Sequence, residues 1–398
     1  MEDMAVSASN YDFGAVHAAM RRYVEADILA GVSSAVLVGR DLIDMNCAGW
    51  ADKEQKTPLR VDHIFRVFSN TKLITSCAVM LLWEEGRLQL DDPIERYIPQ
   101  LGKRRVLRPN ATSPEDADPA AGPITIRHLL CHSAGLSYGI FDPGTPIYKL
   151  YNERNVLNPE TTLADMMDVL ADLPLVFHPG TSWEYSIATD VLARLVEILS
   201  GQHFDAFIQS RILGPLGMAD TGFVVPKEQQ HRLCAYYAGA DLTKPMRPGL
   251  TPIDDAPAFL QSRARLSGAH GLVSTLPDMV ALLRSLLPGG PTLLKPKTMA
   301  LMMTNQLPSG VHVGFAGIVD APGKVFGLGG AITVKPSSID PPGSEGEFEW
   351  GGAAGTHWWI SPKHNLAGLL MTQRRMAFWH PFSFEFKRLV YQAVSKWK

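Results

Sequence analysis

Apolar positions recur at helical spacing over residues 12–29, where Val16, Met20, Tyr23, Val24 and Ile28 share a face and predict an amphipathic helix. Two strand-like runs follow, 33–38 and 42–47. The short link Gly39-Arg40-Asp41 between them predicts a β-hairpin. Residues 64–68 read as a further strand, and a long helical pattern runs from about 69 to 86 through Leu73, Ile74, Val79, Leu81, Leu82 and Trp83. Helical patterns dominate 124–225, among them 163–173 and 190–199, the latter closed by Gly201 as a stop signal. Others recur at 276–287 and 297–304. Near the C-terminus, 357–360 and 366–372 read as adjacent strands joined by a polar turn, and a last helix spans about 383–397. Residues 109–123 and 335–347, rich in Pro, Gly, Ser and Asp, read as irregular insertions.

Strands thus lie towards both ends of the chain with helices between. The simplest packing is one sheet built from both ends with a helical domain inserted. The expected division is an α/β domain over 1–90 and 265–398 and a mainly helical domain over 91–264.

Composition narrows the function classes. The 398 residues are 46% apolar and 19% charged, an ordinary globular balance with enough chain to bury a large core. Lys plus Arg total 37 against 40 Asp plus Glu, so there is no basic excess of the kind nucleic-acid binding demands. The densest basic knot, Lys103, Arg104, Arg105 and Arg108, reads as a solvated loop edge. No apolar run reaches the ~18 residues of a membrane span. The N-terminal stretch lacks a charged segment followed by an apolar one, which predicts no export signal and a cytoplasmic protein. Four dispersed cysteines, Cys47, Cys77, Cys131 and Cys234, predict reduced thiols rather than a metal or redox cluster.

Three short patterns carry candidate chemistry. Ser69-Asn70-Thr71-Lys72 is an S-x-x-K at the start of a predicted helix, where positions i and i+3 share a face and the lysine amine can reach the serine hydroxyl. The helix N-terminus presents free N–H groups and a positive potential beside that hydroxyl. Tyr185-Ser186-Ile187 precedes another helix and offers a phenol for proton relay. Trp350-Gly351-Gly352-Ala353 precedes a strand, and its paired glycines allow close backbone approach to a ligand.

In this order and context the three patterns resemble the serine β-lactamase and penicillin-binding-protein superfamily, and within it the family VIII carboxylesterases, which are similar to class C β-lactamases. The segments ITIRHLLCHSAGL (124–136), GAHGLVSTLPD (268–278) and 179–197 extend the resemblance to about residues 15–395. It implies an α/β (α+β) fold of the β-lactamase/transpeptidase type, an antiparallel sheet flanked by helices with an inserted helical domain. Two departures from the lactamase pattern stand out. Ile187 occupies the asparagine position of Tyr-x-Asn, and Trp350 the lysine position of Lys-Thr-Gly. Both remove polar contacts to an anionic lactam and favour a neutral, apolar ester.

Carried over position by position, the resemblance implies Ser69 as nucleophile, with Lys72 and Tyr185 taking and returning its proton; which of the two is the formal base stays open. The backbone N–H groups of Ser69 and Ala353 would form the oxyanion hole, and Trp350, Gly351, Gly352 and Ile187 would border the substrate. The scheme uses no metal or organic cofactor and expects a small-molecule ester, with neither nucleic acid nor membrane as partner and the oligomeric state open. The alternatives are a class C-like β-lactamase or D-Ala peptidase, an acyltransferase of the same superfamily, and a catalytically dead ligand-binding member.

Several decoys compete. Gly135-Leu136-Ser137-Tyr138-Gly139 spells G-x-S-x-G, but a nucleophile elbow needs a strand before it and a helix after it. Here a helical pattern precedes it and Phe141-Asp142-Pro143-Gly144 follows, so the segment reads as a turn at the site rim. His128 and His132, at i and i+4, read as structural hydrogen-bonders. His357 reads as a packed strand histidine, and Trp358, Trp359 and Trp379 as core.

Overall fold

A computed structural model describes residues 10–140, 146–254, 257–315 and 319–395. The strands used below are β1 (Gly31–Val38), β2 (Asp41–Asp52), β3 (Thr57–Pro58), β4 (Ile64–Arg66), β5 (Val273–Thr275), β6 (Lys324–Phe326), β7 (Ala331–Thr333), β8 (Phe348–Gly352), β9 (Thr356–Ser361) and β10 (Leu366–Thr372). The helices used are α1 (Gly14–Glu25), α2 (Thr71–Glu84), α3 (Ala188–Ser200), α4 (Leu276–Leu286) and α5 (Pro381–Ser395).

The central sheet has eight antiparallel strands in the order β6-β7-β8-β9-β10-β1-β2-β3. The two ends of the chain meet where β1 pairs with β10, Ser34 opposite Leu370 and Val36 opposite Gly368. Both faces of this seam are covered, which is why β10 is buried at every residue and its sequence is a continuous apolar run without alternation. On one face α1 and α5 pack through Val16, Met20, Phe382 and Phe386 against Val32, Val36 and Trp359. The other face packs into a larger core that also holds α2, α3 and α4. This is the mixed α/β architecture with a large antiparallel sheet flanked by helices that the sequence predicts.

Helix α2 is buried from Thr71 to Met80. A helix wrapped by protein on all sides shows little amphipathic contrast, and its sequence is apolar almost all round. Helix α3 ends at Gly201, whose φ of 70° is left-handed and costs a glycine little.

Some expectations are corrected. α1 stops at Glu25 because Asp27 turns left-handed (φ 55°), so Ile28 reaches the core from a loop. The insertion 109–123 is not irregular throughout, since Ala117–Pro119 pairs with Arg105–Leu107. The basic knot is not all solvated: Arg104 is 6% exposed and donates to the carbonyls of Ala171 and Leu173. The last helix is described to Ser395, and Trp397 lies outside the described residues. Among the described residues no helix is long and apolar enough to cross a membrane.

Candidate active site

The short strand β4 pairs with β5 and leads directly into a 3-10 turn, Phe68–Asn70, and then α2. Ser69 therefore sits two residues ahead of the α-helix rather than within it. The turn begins at Phe68 with φ 41°, a conformation that costs a bulky residue about 1–3 kcal/mol. The Phe68 ring is held there by edge packing on Phe259 (5.9 Å) and by Tyr236 (5.6 Å).

Lys72 lies in the first turn of α2 and is 2% exposed. Its Nζ donates to the Ala269 carbonyl at 2.8 Å and reaches Ser69 Oγ at 3.4 Å. The ammonium also stands 4.6 Å from the Tyr185 ring centre and 5.3 Å from that of Tyr138, and cation–π attraction offsets part of its desolvation. Tyr185 OH donates to Ser69 Oγ at 2.6 Å, and Trp350 Nε1 donates to Tyr185 OH at 3.4 Å. The serine oxygen thus accepts from two side chains. Taking the serine proton requires that one of them has first lost its own.

Strand β8 brings Trp350, Gly351 and Gly352 to the same place. A Cβ on Gly352 would lie 2.3 Å from the Val67 carbonyl oxygen, so only glycine lets β8 run against the turn that carries Ser69. Behind this strand lies a buried ion network. Lys387 of α5 donates to Glu347 at 2.8 Å and also to Glu349, while Lys324 bonds Glu349 and, at 3.1 Å, Asp340. Burial alone would raise the Glu349 carboxyl, but Lys324 and Lys387 outweigh it and hold the group well below the usual range. The network fastens α5 to the strand that lines the site.

A cavity of about 480 Å³ opens over Ser69, Tyr185, Trp350, Gly351 and Ala353. That is within the range of small-ligand sites. Its walls are largely aromatic, with Phe68, Tyr138, Tyr236, Phe315, Phe378 and Trp379 prominent. Sequence reasoning missed most of these because they come from separate segments. Tyr138 lay inside the G-x-S-x-G decoy, and His270 lay unremarked within the 268–278 segment.

The structure brings Ser69, Lys72, Tyr185, Trp350, Gly351, Gly352 and Ala353 together, but not Ile187. Ile187 is fully buried behind the wall at the start of α3, its N–H bonded to the Ser137 carbonyl at 3.1 Å. Ser137 is also fully buried and donates to Glu184 at 2.8 Å, so it has no access to a substrate. Phe141-Asp142-Pro143-Gly144 lies outside the described residues. His128 caps its helix in a box with Thr125, and His132 falls beyond that helix at φ 59° with Nδ1 3.0 Å from Ser186 Oγ. Burial and the nearby Lys72 push His132 well below the usual imidazole range. His357 lines the cavity, and burial lowers it to about 4. Trp358 and Trp359 are buried, while Trp379 stays half-buried on Phe315 at 4.8 Å. Among the described residues no group of three metal-ligating side chains occurs, and the four cysteines are unpaired.

Comparison with known proteins places this geometry. The lovastatin esterase of Penicillium rubens is 31% identical over 376 residues, covering 86% of this chain and 89% of that one. Esterase EstB of Burkholderia gladioli is 30% identical over 355 residues, covering 86% of each. The solved structure of EstCE1, described as a hydrolase with promiscuous acyltransferase activity, superposes with a TM-score of 0.80 at 26% identity, over 94% of this chain and 97% of that one. The family described as Beta-lactamase matches residues 16–378, and by that match and these relatives the chain belongs to the β-lactamase family of serine hydrolases.

Proposed function

We propose that the protein is a serine carboxylesterase acting on short- to medium-chain esters. The observation that carries the reading is the pair of contacts on Ser69 Oγ, from Tyr185 at 2.6 Å and Lys72 at 3.4 Å, at the floor of an aromatic cavity. Ser69 attacks the ester carbonyl, and Lys72 and Tyr185 take its proton and return it to the leaving alkoxide. The backbone N–H groups of Ser69 and Ala353 receive the oxyanion, a contribution of about 3 kcal/mol per donor. Water then releases the acid. Trp350 fills the place where a lactamase carries a cation, so the site holds an apolar chain better than a lactam carboxylate. The esterases among the relatives support the same choice.

Acyl transfer is the second reading, favoured by the description of EstCE1. An alcohol then replaces water as acceptor for the same acyl-enzyme. The reading also takes the protein to be cytosolic and to need neither nucleic acid nor membrane.

The test compares wild type with Ser69→Ala on p-nitrophenyl butyrate and a chromogenic cephalosporin. Ester turnover that vanishes in the variant, with little cephalosporin turnover in wild type, is expected. Ester turnover that survives Ser69→Ala sinks the mechanism. Dominant cephalosporin turnover makes the protein a lactamase instead. Adding a primary alcohol and measuring transesterification separates transfer from hydrolysis.

A further inference from the structure

The cavity wall contains a polar device that the ester chemistry above does not use. Asp190 is fully buried; its Oδ1 accepts from Ser267 Oγ at 2.7 Å, and its Oδ2 has no partner among the described residues. Ser267 has therefore committed its proton to the carboxylate and has none to give His270, whose Nδ1 is 3.1 Å away. The same Nδ1 is 2.9 Å from Tyr138 OH. Burial and the neighbouring Tyr185 and Asp190 push the Tyr138 phenol well above its ordinary range, so it keeps its proton and needs an acceptor. Nδ1 is the acceptor in reach. Burial also lowers His270 to about 4, so at neutral pH the ring carries one proton, and that proton is on Nε2.

Nε2 makes no hydrogen bond among the described residues, and His270 lines the cavity. Several other polar groups on the wall are already engaged, although Trp358 Nε1 and Trp359 Nε1 are buried without a partner among the described residues. Lys324, Glu349 and Lys387 pair with one another, Ser383 bonds the His380 carbonyl, His357 Nε2 lies 3.3 Å from the Ala377 carbonyl, and Trp350 Nε1 bonds Tyr185. A neutral imidazole with its proton fixed on Nε2 cannot act as a base at that atom, only donate. His270 follows Ala269, whose carbonyl accepts from Lys72, and it lines the same cavity as Ser69.

We propose that His270 is a specificity residue whose Nε2–H donates to an acceptor oxygen on the acyl or alcohol part of the substrate. The preferred esters then carry an ether, hydroxyl or carbonyl oxygen beyond the ester group. This rests on the esterase reading above.

The test uses two isosteric pairs, p-nitrophenyl methoxyacetate against butyrate, and 2-methoxyethyl against butyl butanoate. The quantity is the ratio of kcat/KM within each pair, compared between wild type and variants so that intrinsic reactivity cancels. In at least one pair His270→Phe is expected to lower the ratio about 5- to 10-fold, the size of one neutral hydrogen bond. His270→Gln, whose amide N–H falls near the Nε2 position, restores much of it. Tyr138→Phe removes the donor that fixes Nδ1 as the acceptor, so the proton is no longer held on Nε2 and the ratio falls without loss of the imidazole. A merely structural role depresses both members of a pair alike. Ratios unchanged within twofold in both pairs, for His270→Phe and Tyr138→Phe, overturn the proposal. Wild-type turnover of butyrate that depends on Ser69 keeps the esterase reading standing in that event, and its absence is the separate failure of that reading.

Discussion

Gly352→Ala tests how the turn that carries Ser69 is held against β8. The added methyl would lie 2.3 Å from both the Val67 carbonyl oxygen and Thr356 Oγ1. Ordinary contact begins about 1 Å farther out. The threonine can rotate away, but Val67 O is backbone, fixed by the Asn70 N–H at 3.0 Å that closes the turn holding Ser69. The end of β8 must therefore retreat from Ser69 by roughly the missing ångström and carry Ala353 with it. A misplacement of about 1 Å at reacting groups costs on the order of 100-fold in rate, and overpacking a close contact costs about 1–3 kcal/mol in stability. The assay is p-nitrophenyl butyrate hydrolysis with a thermal melt, beside Gly122→Ala, where a Cβ meets nothing within 4 Å. We expect kcat to fall far more than KM rises, since under the proposed mechanism the Ala353 N–H would bond the oxyanion in the transition state and not in the ground state. A Gly352→Ala enzyme with kcat within threefold of wild type and an unchanged melt refutes the argument.

Two further outcomes follow from buried charge. Lys387→Met leaves Glu347 and Glu349 buried together with Lys324 as the remaining cation of the network, and removing one partner of a buried pair costs about 3–5 kcal/mol; denaturant titration showing a loss under about 1 kcal/mol contradicts this. His270, His357 and His380 are each lowered by burial from 6.5 to about 4, so below pH 6.5 the unfolded chain binds protons that the folded chain refuses. Their stability contribution is complete above pH 6.5 and is lost as pH falls towards 4. Asp278, raised by burial to about 6, acts in the opposite sense between pH 3.8 and 6, as do Glu184 and Glu347, also raised by burial, but His63, His128 and His132 are lowered by burial too and add to the three histidines. Tm is expected to drop between pH 7 and pH 5, and a flat or rising Tm rules the account out.

The hairpin β1–β2, the strand pair β9–β10, the stop at Gly201 and the helix α2 were legible along the chain because each depends on neighbouring residues. Ser69, Lys72 and Tyr185 were legible as candidates because their short patterns, in that order, carry the resemblance to the β-lactamase family. Other features depended on residues far apart in sequence. The Arg104 guanidinium is buried because carbonyls of Ala171 and Leu173 happen to face it, and no charge pattern shows that. Ile187 occupies a position that the motif assigns to the substrate, yet backbone pairing to Ser137 draws it into the core. The aromatic wall gathers Phe68, Tyr138, Phe315 and Trp379 from four segments, and the tautomer of His270 follows from a tyrosine 132 positions away. The sequence by itself therefore determined most of the elements, which rest on local periodicity, and, through motifs that resemble a known family, the family. Only the tertiary structure decided the shape of the cavity and the state of its polar groups, because packing and desolvation act between residues that the chain brings together only when it folds.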